Sequence, residues 1–172
     1  MDQAAIQSFI SPAIWTFSLE LKPFLSSVPP STPMALIRTW SNGWFTSIRM
    51  HESMALPCIF GCDADDTLDH YLKCDILWTL IYCCNNCKST IFRQTIENRA
   101  CIRGLCRANL ARLYTAFSTY HSLRKLHTEQ LTEAISSGNF NSVHGTAIEL
   151  IHRQVPPNPE VPRNPYLELH TN

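Results

Sequence analysis

Glycine is scarce, five in 172 residues, and no run fits GxxxxGKS/T or GxGxxG. The phosphate-cradling loops of nucleotide-binding folds are therefore excluded. HExxH and GxSxG are missing too, which removes the simplest zinc-protease and serine-hydrolase readings. Charge is sparse, at 16% against 45% apolar residues, unlike the charge-rich, hydrophobe-poor composition of a disordered chain. The longest apolar run, ILWTLIYCC at 76–84, is about half the roughly 20 residues of a membrane-spanning helix. The N-terminal stretch has no basic n-region, carries Asp2 and is interrupted by Pro12, a poor export signal. The expectation is an intracellular chain, nuclear or cytoplasmic and off the membrane, whose thiols stay reduced.

What is abundant is cysteine. Eight occur, and in a reducing compartment metal binding or burial explains them better than disulfides. Three of them share the stretch CIFGCDADDTLDHYLKC, 58–74, with one histidine. Asp66 is a natural N-cap with Asp69 at N3, so a helix is expected from Thr67 to about Tyr82. On it His70 and Cys74 stand at i and i+4, one above the other on one face. Upstream, Gly61 lets the chain turn so that Cys58 and Cys62 face inward together. The resulting Cys-x3-Cys-x7-His-x3-Cys set supplies three thiolates and an imidazole, a favoured tetrahedral set for structural Zn2+ with no position left for a catalytic water. The bland alternative is three buried cysteines and a satisfied histidine.

The run LIRTWSNGWFTSIRMHESMALPCIFGCDADDTLDHYLKCDILW, 36–78, resembles the zinc-binding region near the C-terminus of non-LTR retrotransposon reverse transcriptases. In that family an Arg-containing helix and a short basic motif lead into two close cysteines, then an acidic stretch, a Thr-Leu-x-His step, a cysteine and an aromatic. Here those places fall to Arg38, Arg49, Cys58, Cys62, Thr67 to His70, Cys74 and Trp78. The spacings depart by one residue, with x3 where the family often has x2 between the first cysteines and x4 after the histidine. The resemblance covers about a quarter of the chain and implies a zinc-binding module that handles RNA or DNA. It does not imply polymerase activity. The DADD at 63–66 lies in a loop between zinc ligands, whereas two-metal phosphoryl transfer needs carboxylates gathered from a large palm, for which this chain has no room. A zinc deaminase fails as well, since Glu52 is adjacent to His51 rather than two on, and His51 is too close to Cys58. No catalytic residue is assigned.

Around this module, residues 1–33 read as an irregular N-terminal helical segment and a Pro/Ser linker. The next helix should open with Thr32 as N-cap and Pro33 at N1. Ile37, Trp40, Trp44 and Ile48 would form its apolar stripe, kinked or divided at Asn42-Gly43, with the tryptophans as core. The module proper spans 34–82. Its stretch 58–79 holds five aspartates against Lys73, net −4, whereas 88–127 holds eight basic residues against Glu97 alone, net +7.

Within a basic amphipathic helical region, 83–150, Ile102, Leu105, Cys106, Leu110, Leu113 and Phe117 are expected on one face, with Cys101 and Cys106 in the core. Arg93, Arg99, Arg103 and Arg107 fall on the neighbouring flank, either a solvated face or one that contacts phosphates with weak sequence specificity. Cys83, Cys84 and Cys87 read as buried or spare thiols, with a second metal site or exchange with the first left open. The tail 151–172 is Pro-rich and expected to be disordered. Pro156, Pro159, Pro162 and Pro165 would share one edge of a polyproline II helix and suit a protein partner of the SH3 or WW type.

The fold class expected is mainly α, a small helical domain stapled by one structural zinc site. The function expected is nucleic-acid binding, without polymerase activity, in a module derived from a retroelement reverse transcriptase. The alternatives are a zinc-stabilised protein–protein adaptor or a remnant without a role.

Overall fold

Helix formation in this chain is set less by long periodic runs than by where the runs are cut. The computed structural model describes residues 28–84, 95–102 and 106–154. The segment expected to be helical at the N-terminus, up to residue 27, together with Cys87, Arg93, Arg103 and almost all of the Pro-rich tail, lies outside the described residues. Among the described residues are seven α-helices and no strand, a mainly helical fold as the sequence indicates.

The first helix, α1 (Ser31–Trp40), starts after Pro30 without a side-chain cap, so Thr32 is not its N-cap. Pro33 sits in the first turn, where a missing N–H costs nothing. Thr32, Ala35, Leu36 and Thr39 form its buried face. The chain is divided at Asn42-Gly43 as expected, since the helix ends at Trp40 and Asn42 turns left-handed at φ 52°, and Ile37, Trp40, Trp44 and Ile48 therefore do not share one stripe. Gly43 N–H then donates to Arg38 O at 2.5 Å, and a Cβ at Gly43 would stand 3.0 Å from that oxygen. Trp44 consequently swings into the core, while Ile37, Trp40 and Ile48 stay half-exposed.

Two shorter helices, α2 (Leu68–Lys73) and α3 (Asp75–Cys84), replace the single helix expected over 67–82. The break is Cys74, whose ψ of 104° is extended rather than helical. Capping also differs. Thr67 Oγ1 accepts from His70 N at 3.1 Å, and Asp66 is drawn inward instead.

A second cut separates α4 (Ile96–Arg99) from α5 (Arg107–Leu126). Cys101, fully buried, takes a left-handed φ of 56°, which an L-residue adopts only when its surroundings hold it there. The last two helices are α6 (Thr128–Ser137), closed by Gly138 at φ 71° as a left-handed C-terminal stop, and α7 (Asn141–Gln154).

Helix α5 is the hub, touching α1, α3, α4, α6 and α7, while α3 also packs on α7. It buries Leu110, Leu113, Ala116, Tyr120 and Leu123. The same cluster takes in Leu36 and Trp44, then Cys58, Phe60, Tyr71 and Cys74, and ends at Val143, Ala147 and Ile151. The cysteine stretch and the helical region thus share one core. Among the described residues no helix is long and apolar enough to cross a membrane.

Candidate metal centre

The turn at 56–66 is built by backbone hydrogen bonds. Cys58 N donates to Ala64 O at 2.8 Å and Asp66 N to Leu56 O at 2.9 Å, flanking an isolated antiparallel bridge between Pro57 and Asp65. Gly61 reverses the chain at φ 84°, and its N–H donates to Cys58 O at 3.0 Å. A Cβ there would stand 2.6 Å from the Phe140 ring, so glycine is required both by φ and by close approach. This knuckle presents Cys58 and Cys62. Helix α2 supplies His70, and the α2–α3 break supplies Cys74.

The four sequence-derived candidates converge. The nearest donor atoms of Cys58, Cys62, His70 and Cys74 all lie within 4.8 Å of one another. Cys74 Sγ is 3.9 Å from Cys58 Sγ and 3.5 Å from Cys62 Sγ. His70 Nε2 is buried without a hydrogen-bond partner, a cost that a bound ion removes. Cys58 is pulled down to about 5, chiefly because the Cys74 thiol donates to it, with burial opposing and the N–H groups of Phe60 and Cys62 assisting. The same pairing, together with burial, pushes Cys74 up, and burial raises Cys62. The site thus stabilises one thiolate unaided; a cation is what allows all three sulfurs to ionise together. These four soft donors can hold one metal ion, and they are the one group of three or more such side chains that converges among the described residues.

Of the other cysteines, Cys83 is exposed and Cys84 partly buried, with burial raising the Cys84 thiol to about 11. Cys101 is buried and likewise raised to about 11, but Cys106 is exposed and leaves the expected apolar face, because it precedes α5 rather than lying within it.

Of the basic edge, the two described members, Arg99 and Arg107, do not share one helix. Arg99 ends α4 and is buried, with its guanidinium 5.1 Å from the Trp78 ring centroid and its Nη1 donating to Leu72 O at 3.0 Å. Arg107 begins a different helix and is exposed. The left-handed turn at Cys101 separates the two, so no single edge carries them.

Sequence reasoning missed the role of Asp66. Its carboxylate is fully buried and accepts from Ser47 N at 2.6 Å, Tyr71 Oη at 2.6 Å and Tyr120 Oη at 2.9 Å. Arg124 stands 3.9 Å away and pairs with Glu52 at 2.6 Å. Burial and the Asp66 charge raise both tyrosines. The network ties the 41–57 segment, the knuckle and α5 together beside the four candidate ligands. A scan of family models, a search of curated proteins and a search of solved structures each find no match to this chain.

Proposed function

We propose that this chain is a zinc-stapled, intracellular, nucleic-acid-binding module derived from the C-terminal part of a retroelement reverse transcriptase, without polymerase activity of its own. The observation that carries the reading is the convergence of Cys58, Cys62, His70 and Cys74. Tetrahedral zinc with Zn–S near 2.3 Å spaces its sulfurs about 3.8 Å apart, and the two S···S separations of 3.5 and 3.9 Å fall on either side of that value. Four protein donors around one ion make the metal structural, so zinc would supply folding energy and a fixed scaffold, not chemistry. A polymerase role for the DADD carboxylates is disfavoured because Asp66 is spent on two tyrosines and a backbone N–H.

Nucleic-acid binding is supported by the resemblance through Arg38, Arg49 and the zinc ligands, and by exposed cations at Arg49, Arg107, Lys125 and Arg153. The adaptor reading draws on a different feature. Phe45, Ile48, Met50 and Met54 are exposed within one short segment, Met54 to 73%, a density of apolar surface that suits a protein partner.

The test is to refold the full chain with Zn2+, measure metal by elemental analysis, and titrate fluorescent single-stranded RNA and duplex DNA by anisotropy. One zinc per chain and salt-dependent binding are expected. A zinc-loaded protein that binds neither at low salt would transfer the case to the adaptor.

A further inference from the structure

Between α1 and α5 runs an open groove of about 450 Å³. Its α5 wall carries a stripe, Tyr114, Ser118, His121, Ser122 and Lys125, at the i, i+4, i+7, i+8, i+11 spacing that aligns side chains along one helix face, flanked by the apolar Phe117 and Leu126. The α1 wall contributes Arg38 with Met34 and Ser31. We propose that this groove is the nucleic-acid site, and that it takes a single strand whose phosphates meet Arg38 and Lys125 while a base lies against the Tyr114 ring. The inference rests on the nucleic-acid reading and gives it a location.

Charge complementarity selects the occupant. The groove lining includes two cations and no carboxylate, in a chain of zero net charge. Among the described residues neither Arg38 nor Lys125 pairs with a carboxylate, whereas Arg124, adjacent in sequence to Lys125, is consumed by Glu52 and Asp66. Arg38 is pre-positioned. Its guanidinium lies 5.6 Å from the Phe45 ring centroid and 5.9 Å from that of Phe117, a placement that orders the side chain while leaving its N–H fork for an anion. Ser118 and Ser122 add hydroxyl donors on the same stripe.

The mixture of cations, hydroxyls and aromatic rings in one trough matches a single strand, whose unstacked bases can lie on π-faces while its backbone follows the charge. A duplex keeps its bases stacked inside and would use only the two cations. Neither wall carries the ring of fixed polar groups that reads a base edge, so recognition should be weakly sequence-specific.

The experiment uses the zinc-loaded full chain, labelled oligo-U and oligo-dT, and a duplex control, with affinity followed across salt concentration. The Arg38→Gln/Lys125→Gln pair should weaken single-strand binding at least tenfold and flatten the log–log salt slope by roughly 1.4, about 0.7 per lost phosphate contact. Tyr114→Ala should weaken binding with the slope unchanged, which marks lost stacking rather than lost charge. Lys73→Gln, which removes an exposed charge outside the groove, should leave affinity within twofold. Because Arg38 packs on two rings, Lys125→Gln alone and Ser122→Trp, which fills the trough, serve as tests that leave that packing intact. If the parent binds and these groove variants bind equally well, the groove assignment is overturned and the function stands. If the zinc-loaded parent binds no strand at low salt, both fall together.

Discussion

Asp66 is the residue on which the centre of the molecule turns. A fully buried carboxylate is tolerable only when its oxygens are satisfied by donors, and here a backbone N–H and two tyrosine hydroxyls satisfy them, with Arg124 offsetting the charge. Asp66→Asn keeps the shape but turns an NH2 toward groups that donate. A loss of about 2–4 kcal/mol is expected in urea unfolding of the zinc-loaded protein, against about 1 kcal/mol for Tyr120→Phe. The sequence showed Asp66 only as a helix cap, because two of its three donors lie 19 and 54 residues away and no local pattern marks the third, Tyr71, as its partner.

His121 is a second case at this scale. Burial, then the Arg38 and Arg124 charges, hold its imidazole down to about 4. Phe45 packs on its ring edge-on, and Phe117 and Tyr120 flank it on its own helix. Its folded value lies below its unfolded value near 6.5, so in acid the unfolded chain takes up a proton that the native state refuses. The stabilisation is intact above about pH 6.5 and is lost as pH falls toward about 4. The loss should be at most about 2 kcal/mol, allowing for screening at a partly open site. His121→Gln should remove this part of the pH dependence. The comparison with the parent cancels acid release of the metal, which both proteins share, and parallel stability–pH curves would refute it.

At the scale of elements, the knuckle was legible because metal ligands announce themselves by residue type and spacing, and all four candidates converge as the sequence indicates. How they converge was not legible. The i, i+4 argument assumed one helix, yet Cys74 sits where the chain leaves the helical region, its thiol accepting from Leu77 N at 3.5 Å as α3 begins. The α4–α5 break was only half legible: Gly104 in the sequence is a breaker between the two helices, but the left-handed turn is carried by a buried cysteine, Cys101, which no residue type announces. The knuckle is also clamped from outside. Phe140 covers Gly61, and His144 Nε2 lies 2.9 Å from Phe60 O. Gly61→Ala should therefore weaken zinc retention against a competing chelator, through both its φ of 84° and the Phe140 contact. In a Phe140→Ala background the steric part disappears, so the two changes together should cost measurably less than their sum. Strict additivity would show that φ alone carries the cost. Serine at Cys83, Cys84 and Cys87 should leave zinc at one per chain, because Cys83 and Cys84 stand outside the converging set.

At the scale of the whole molecule, the knuckle is not an appendage. Cys58, Ile59, Phe60, Tyr71 and Cys74 belong to the same hydrophobic cluster as Leu113, Tyr120 and Ile151, although the sequence invites a boundary near residue 82. Charge and composition shift there, and side-chain packing across it leaves no linear trace. A metal that holds such a segment stabilises everything packed on it. Structural zinc is worth on the order of 10 kcal/mol to a small motif, which is comparable to the whole stability of a typical domain. Removing it leaves three close sulfurs and an unpartnered His70 Nε2 under that cluster. Chelation of the full chain near pH 7 should therefore lower far-UV helical signal and tryptophan emission together, as one cooperative transition, since Trp44 and Trp78 both lie in the shared core. Cys62→Ala and Cys74→Ala should reproduce that state without chelator. A detachable finger would behave differently, losing zinc while α5, α6 and α7 kept their helical signal and melting temperature, and that outcome would show that the helices stand without the knuckle.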